Sequence, residues 1–278
     1  MMPRGWPFGL ILAWLVLAPP TAAQSPTTGP FPNGVDLTWD IQLAGIDLDR
    51  LTAVDVVEID GAEATAGDVD ALHDAGIFAI CYVNAGAWEE WRADAARYPE
   101  GIIGSEYPGW PGERFVDIRA LETLGPILES RLDTCAAKGF DAVDPDNVDT
   151  WDAETGFDLT RDDQLLFNRW LADQAHARGL AIGQKNAPDL AADLVDDFDF
   201  AVTEDCLVDD WCDAMQRYAS AGKPVLMVEY TDRGLSDGEI CALAEGSFGH
   251  VVIKHRDLDA WSAHCERARH ERMPSFVM

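Results

Sequence analysis

Short apolar segments alternate with longer amphipathic segments from residue 38 to residue 255. Each apolar segment is followed by polar residues and a loop, a pattern that predicts a buried parallel strand. Eight strands are predicted in this way: Thr38–Leu43, Val54–Asp60, Ile77–Asn84, Asp141–Asp146, Leu180–Asn186, Phe200–Glu204, Val225–Tyr230 and Val251–His255.

The segments between these strands have the apolar spacing of helices. Leu165, Leu171 and Ala175, for example, fall on one stripe of a predicted helix. A glycine such as Gly139 or Gly179 stands just before several strands, where a helix typically ends in a left-handed residue. The predicted helices are Asp68–Ala75, Leu121–Lys138, Arg161–Arg178, Asp209–Ala221 and Ser236–Glu245.

This order of elements predicts an α/β fold, a single (β/α)8 TIM barrel over residues 35–270. Parallel strands need cover on both faces, which a closed ring of helices supplies. An open doubly wound sheet is the alternative, but no Gly-rich phosphate loop follows the first strand. The connection over residues 85–119 is unusually long, and we expect it to overhang the catalytic end of the barrel.

The first residues have the order of a secretory signal. Arg4 precedes an apolar run, and small residues follow as far as Ala23, which predicts a signal peptide over residues 1–23 with cleavage near Ala23. Residues 24–34 are predicted to be a flexible Pro-rich lead-in, and residues 271–278 a tail. We therefore expect a secreted protein, extracellular or periplasmic.

Acidic side chains outnumber basic ones by 50 to 20, which gives the 278-residue chain a formal net charge of −30. This charge disfavours nucleic acid and anionic membranes as partners and favours a cationic or neutral one. Carboxylates that only keep the surface solvated explain the surplus equally well.

No later apolar stretch is long enough to cross a membrane, and we expect a soluble monomer.

Six cysteines in a chain that is predicted to be exported favour disulfides over metal ligation. The short spacing of Cys206 and Cys212 suits a local loop. Cys241 and Cys265 would tie the last two helices together, which leaves Cys81 with Cys135 by elimination. Six cysteines allow about fifteen pairings, so the connectivity stays open.

Polar residues cluster where the predicted strands end, which is the catalytic end of a TIM barrel. Buried charges cost several kcal/mol unless they are paired, so this convergence favours a functional site. The cluster contains Asp40, Gln42, Asp60, Tyr82, Asn84, Asp144, Asp146, Asn147, Lys185, Asn186, Glu204, Glu229, Tyr230, Lys254 and His255.

Two carboxylates of this cluster are the strongest catalytic candidates. Asp146 shares strand parity with Ala142, and Glu204 shares it with Phe200, so both are predicted to point into the barrel. Two carboxyl groups across a cleft are the minimum apparatus for glycoside hydrolysis.

Other chemistries find less support. The segment from Asp144 to Asp149 resembles part of a calcium loop, but Val148 and Thr155 break the EF-hand pattern, and no metal or cofactor is expected. Lys185 either neutralises neighbouring aspartates or contacts substrate.

Two tryptophans of the long connection, Trp88 and Trp110, also have two possible roles. Each either packs within the connection or stacks on a sugar ring.

Short motifs in consistent order from Trp39 to Tyr230 resemble those of glycoside hydrolase family 114, TIM-barrel endo-α-1,4-polygalactosaminidases. They are Trp39-x-Ile-Gln-Leu, Val57-Glu-Ile-Asp60, Cys81-Tyr-Val-Asn-Ala-Gly, Gly139-Phe-Asp-x-Val-Asp-Pro-Asp-Asn-Val-Asp149, Lys185-Asn-Ala, Glu204-Asp-Cys206 and Glu229-Tyr230.

The resemblance implies retaining cleavage of α-1,4 bonds within a galactosamine-rich, cationic polysaccharide, with Asp146 as nucleophile and Glu204 as acid and base. Asp144 stands where the family usually has Glu, and we expect it to alter a subsite contact. The residues expected to line the sugar subsites are Asp60, Tyr82, Asn147, Asp149, Lys185, Asn186, Glu229 and Tyr230, to which the long connection adds Trp88.

Two functions of other classes remain as alternatives. A catalytically inactive barrel would bind the same polysaccharide without cleaving it, since a fold does not by itself imply an activity. A metal-dependent hydrolase would use the aspartate cluster. The presence of both candidate carboxylates favours the glycosidase.

Overall fold

The computed structural model describes residues 31–32, 37–51 and 54–265. The predicted signal peptide, the tail, and the lead-in apart from residues 31–32 lie outside these ranges.

Strands and helices alternate along the described chain, as the sequence predicts. The strands are β1 (Trp39–Gln42), β2 (Val56–Asp60), β3 (Phe78–Asn84), β4 (Ala87–Glu89), β5 (Ile103–Glu106), β6 (Glu113–Val116), β7 (Ala142–Asp146), β8 (Ala181–Lys185), β9 (Phe200–Glu204), β10 (Val225–Tyr230), β11 (His250–Lys254) and β12 (Ser262–His264). The helices are α1 (Ala66–Asp74), α2 (Leu121–Lys138), α3 (Arg161–Ala177), α4 (Ala191–Leu194), α5 (Gln216–Ser220) and α6 (Asp237–Ala244).

All eight predicted strands are confirmed, with ends that differ by two residues at most. In chain order, they are β1, β2, β3, β7, β8, β9, β10 and β11, and each pairs in parallel with the next. Apolar side chains from seven of these strands, among them Ala142, Phe200 and Val202, form one cluster. Such a cluster is possible only if the sheet curves into a TIM barrel and these side chains point inward.

Contacts between the first and last parallel strands close the barrel. Trp39 Nε1 donates to the carbonyl of His250 at 2.7 Å, and Lys254 Nζ lies 2.8 Å from Asp40 Oδ1. β12 pairs antiparallel with the edge of β11 that faces β1. The ring therefore contains a ninth, short strand that the sequence does not predict.

Most helices begin and end at the predicted signals. Thr160 and Asp163 form a capping box at the start of α3, each side chain accepting from the other's backbone N–H. The predicted helix over 209–221 is wrong in its first half, because α5 begins only at Gln216. Asp210 has a left-handed backbone and the Cys206–Cys212 disulfide closes the loop there, which interrupts a regular helix.

The long connection forms a three-stranded antiparallel sheet of its own, with the order β4-β6-β5. We call this segment, residues 85–119, the insert. Its first residues are fastened to the barrel, because Ala85 N and Gly86 N both donate to the carbonyl of Asp146, at 3.0 and 3.2 Å.

Three disulfides join the six cysteines, as predicted: Cys81–Cys135, Cys206–Cys212 and Cys241–Cys265. The first ties β3 to α2. Cys265 follows β12 and not a helix, so the third bond ties α6 to the closing strand.

Among the described residues, no helix is long and apolar enough to cross a membrane.

Candidate active site

A cavity of 360 Å³ opens at the carboxyl ends of the barrel strands. Nine of the predicted site residues line it together: Asp60, Tyr82, Asp146, Asn147, Asp149, Lys185, Asn186, Glu204 and Tyr230. The insert contributes Tyr107, Trp110 and Glu113 to the same wall, which confirms that it overhangs this end of the barrel.

Lys185 lies between the two candidate carboxylates. Its Nζ is 3.5 Å from Asp146 Oδ1 and 3.9 Å from Glu204 Oε2. These two oxygens are therefore at most about 7.4 Å apart, an upper limit that admits the roughly 5–5.5 Å separation of retaining glycosidases and also the shortest separations of inverting ones, about 6.5 Å. Burial opposes the charge of Lys185, but Asp146, Glu204 and Asp144 together raise its pKa well above the usual range.

Asp146 ends β7 and is held from two sides. Tyr82, which points inward from β3, donates its hydroxyl to Asp146 Oδ2 at 2.9 Å, and Lys185 faces the other oxygen. Burial first, and then the charge of Asp146, raise the pKa of Tyr82 well above its usual range. Tyr82 therefore stays protonated and acts as a donor.

Glu204 ends β9 and is also held at both oxygens. Asn186 Nδ2 donates to Oε2 at 3.2 Å, and Asn186 Oδ1 accepts from the Glu204 backbone N–H at 2.9 Å. The Tyr230 hydroxyl donates to Oε1. The guanidinium of Arg256 lies 3.8 Å from the centre of the Tyr230 ring and fixes that ring in turn.

A second pair of carboxyl groups lies beneath this site, inside the barrel. Glu58 and Asp144 are fully buried, and within the described residues no N–H or hydroxyl reaches either oxygen of Glu58 or Oδ1 of Asp144. Two neighbouring carboxyl groups that are buried without such donors cannot both keep their charge, so one of them holds a proton.

Burial and the charge of Asp144 raise the pKa of Glu58 well above its usual range, so Glu58 carries that proton. Burial raises the pKa of Asp144 to about 6, against the opposing effect of Lys185. Lys185 Nζ lies 3.4 Å from Asp144 Oδ2 and joins this pair to the site above. Sequence reasoning overlooked Glu58 because no sequence pattern distinguishes a protonated glutamate in the core from an exposed, ionised one.

Asp60 is engaged by the insert. The Arg92 guanidinium contacts both of its oxygens, at 2.9 and 2.8 Å, and also donates to Glu89 at 2.8 Å. Although Asp60 lines the cavity, its two oxygens are already paired.

Two acids of the cavity wall have raised pKa values. Burial, Glu89 and Asp146 raise the pKa of Glu113 to about 7. Burial and Asp146 raise the pKa of Asp149 to about 6. Asn84 Nδ2 donates to Glu113 at 3.3 Å, and Asn84 Oδ1 accepts from Asn147 at 3.0 Å, so β3 links the insert to the strand that carries Asp146.

Two predicted site residues are not brought to the cavity. Glu229 points to the other side of β10, where its carboxylate accepts from the backbone N–H groups of Leu207 and Val208. Trp88 donates Nε1 to the carbonyl of Ala95 and lines a different cavity on the insert. Trp110 and Trp91 line the catalytic cavity in its place, both about half exposed.

One group of metal-ligating side chains lies near the rim of the cavity, formed by His255, Asp257 and Asp259. His255 Nδ1 already pairs with Asp259 Oδ2 at 3.2 Å, and its ring stacks on Trp261. The other group, Cys206, Cys212 and Glu229, has its sulfurs in a disulfide.

Comparison with known proteins adds three findings. The model of glycoside-hydrolase family GH114 matches residues 18–270. The crystal structure of Aspergillus fumigatus Ega3 in complex with galactosamine is similar at 32% sequence identity and a TM-score of 0.78, over 84% of this chain and 96% of that one. The glycoside hydrolase domain of PelA from Pseudomonas aeruginosa is similar at 14% identity and a TM-score of 0.64, over 82% of this chain and 98% of that one.

At 14% identity the likeness to PelA shows the fold alone. Among curated protein sequences, no match was found.

Proposed function

The chain belongs to glycoside-hydrolase family GH114, and from that membership we propose that it cleaves α-1,4 bonds within galactosamine-containing polysaccharide, with retention of configuration. The observation that carries this proposal is the approach of Asp146 and Glu204 to the same ammonium, Lys185, in one cavity. Endo-cleavage and galactosamine as the sugar follow from the family resemblance and from the galactosamine bound to Ega3.

In the first step, a carboxylate oxygen of Asp146 attacks the anomeric carbon and forms a glycosyl ester. The bond from that carbon to the leaving oxygen breaks, and Glu204 gives its proton to this oxygen. Tyr82 and Lys185 suit Asp146 to the nucleophile's role, because both contacts stabilise its negative charge.

In the second step, water attacks the same carbon and Glu204 takes one of its protons. The ester bond breaks and Asp146 leaves as a carboxylate. Asn186 and Tyr230 hold the Glu204 carboxyl group in place through both steps, because each contacts a different oxygen.

The charge of the cavity favours an amino sugar. Asp149, Glu113, Glu63 and Asp257 line it in addition to the two catalytic candidates, against the cations Lys185, Arg92 and Arg256. All three cations are paired with carboxylates. The ammonium group of a deacetylated galactosamine therefore meets surplus negative charge.

The test compares the intact protein with Asp146→Asn and Glu204→Gln on a galactosamine polymer. We expect each variant to lose about 10³-fold or more in kcat, since each removes one partner of a two-step mechanism. Proton NMR of the first product should show the α-anomer. Asp74→Asn, at an exposed carboxylate of α1, is the matched control and should leave the rate unchanged.

Undiminished cleavage by both variants would refute the assignment of Asp146 and Glu204. Release of the β-anomer would instead contradict retention while leaving the two residues in place.

Export is proposed alongside the reaction. The three disulfides are typical of proteins that fold in an oxidising compartment. N-terminal sequencing of protein recovered from the medium or periplasm should begin near Gln24, and a mature chain that still carries residues 1–23 would contradict the proposed signal peptide.

A further inference from the structure

A second cavity, of 630 Å³, lies on the insert beside the catalytic cavity. Tyr107, Trp110 and Glu113 line both cavities, so the two adjoin along a shared wall. We call the second cavity the insert groove. The residues that matter below are Trp88, Glu90, Glu106, Tyr107, Trp110 and Glu113.

Trp110 is presented to solvent by a turn that is hydrogen-bonded on both sides. Its backbone N–H donates to the carbonyl of Tyr107 at 3.3 Å, and its carbonyl accepts from Glu113 N at 3.1 Å. Proline at positions 108 and 111, and glycines 109 and 112 with left-handed backbone, further restrict the turn. The side chain is nevertheless 47% exposed. Burial in the core does not account for so constrained an aromatic side chain, whereas stacking on a ligand does.

The groove is acidic as well as aromatic. Glu90 and Glu106 are exposed at its wall and Glu113 is buried at the junction. Arg114 is the only basic residue among those that line it, and its Nε donates to the carbonyl of Gly104 at 2.9 Å. Aromatic faces beside carboxylates suit a sugar ring that carries an ammonium group.

We propose that the insert groove binds further amino-sugar residues of the polysaccharide chain whose scissile bond lies in the catalytic cavity. This inference rests on the proposed function and extends it. Trp110 stacks on a sugar ring at the junction, and Glu90 and Glu106 pair with ammonium groups beyond it. The insert thereby makes cleavage depend on the length of the substrate.

The test uses α-1,4-linked galactosamine oligomers of increasing length. In the intact protein, kcat/KM should rise with length beyond the shortest oligomer that is cleaved. The double variant Glu90→Gln, Glu106→Gln should lower kcat/KM about 5-fold to 10-fold for long oligomers, as two exposed ion pairs allow, and less than about 2-fold for the shortest one. The loss should shrink as salt is added.

The matched control is the double variant Asp74→Asn, Glu245→Gln, which removes two exposed charges near the opposite end of the barrel. It should leave the dependence on length unchanged. Trp110 lines both cavities. The variant Trp110→Ala should therefore lower kcat/KM for every oligomer, and more for long oligomers than for short ones.

Calorimetric titration of the Glu204→Gln variant with the same oligomers separates this proposal from the proposed function. Tighter binding of long oligomers that disappears with Glu90→Gln, Glu106→Gln supports the groove even if no bond is cleaved. Equal losses at all lengths, or no effect on long oligomers, would overturn the groove proposal and leave the cleavage mechanism standing.

Discussion

Glu58 shows how one proton inside the barrel supports the charges above it. If Glu58 were ionised, the buried pair would carry two negative charges against the single ammonium of Lys185. With a proton on Glu58, the buried pair carries one negative charge, and Lys185 can serve Asp146 and Glu204 as well as Asp144. A buried acceptor without a donor costs about 1–3 kcal/mol, so the proton also contributes to stability.

Glu58→Gln should therefore be tolerated. The amide of Gln offers an N–H to Asp144 in the place of the acid proton, so we expect the free energy of unfolding at pH 7 to change by less than about 1 kcal/mol. Glu58→Ala removes the donor and leaves a cavity, and should cost about 2–4 kcal/mol. Chemical denaturation measures both values.

The pH dependence of kcat should keep its shape in Glu58→Gln if the glutamate carries a proton throughout. A Gln variant as unstable as the Ala variant would show instead that Glu58 is ionised.

Strand parity was enough to direct the two catalytic candidates into the barrel, because Asp146 shares parity with Ala142 and Glu204 shares it with Phe200, and both of these apolar side chains point inward. Glu229 was included through the family resemblance alone, and it lies on the other face of β10 from Val228 and Tyr230. No local pattern distinguishes Trp88 from Trp110. Which of them faces the catalytic cavity depends on how the insert folds back, and that is set by tertiary contacts.

The junction of β3 and the insert fixes the insert against the catalytic strand. A Cβ atom built on Gly86 would lie 1.7 Å from the carbonyl oxygen of Asn147. Only glycine allows the two backbones to approach so closely while Gly86 N donates to Asp146.

Gly86→Ala should displace Asn147 and with it Asp146. We expect a loss of about 3 kcal/mol in the free energy of unfolding, and about 10-fold or more in kcat of the protein that still folds. Gly101→Ala is the control, because a Cβ atom there meets nothing within 4 Å. A Gly86→Ala variant as stable and as active as the control would contradict this account.

At the scale of elements, buried strands and long capped helices could be predicted, and short elements could not. Each barrel strand is an apolar run bounded by polar residues, as in Val225–Tyr230. β12 has only three residues and none of them is buried, so it has no apolar signal. The strands β4 to β6 have only three or four residues each, and they form because the insert pairs with itself above the barrel.

Acid groups with raised pKa values make stability depend on pH in an unusual direction. The pKa is raised to about 7 for Glu113 and Glu229 and to about 6 for Asp144 and Asp149, in each case chiefly by burial. Such a group binds its proton more tightly in the folded chain than in the unfolded one. The free energy of unfolding therefore falls as the pH rises from about 4.5 to 7.

The melting temperature should be at least about 5 °C higher at pH 5 than at pH 8, and the net charge of −30 adds to this trend. Below about pH 4 the trend reverses, because acids with lowered pKa values, such as Asp199 beside His176, are then protonated. Calorimetry across this range measures the effect, and Glu113→Gln should flatten it. A melting temperature that rises from pH 5 to pH 8 would contradict the prediction.

Closure of the barrel joins residues from the two ends of the described chain: Trp39 to His250, and Asp40 to Lys254. Contacts so distant in sequence form late, because a long loop must be ordered before they contribute. During synthesis, β1 lacks this partner until β11, about 210 residues later in the chain, has left the ribosome. The ring can therefore close only after β11 has emerged, although the strands that precede β11 can already be paired.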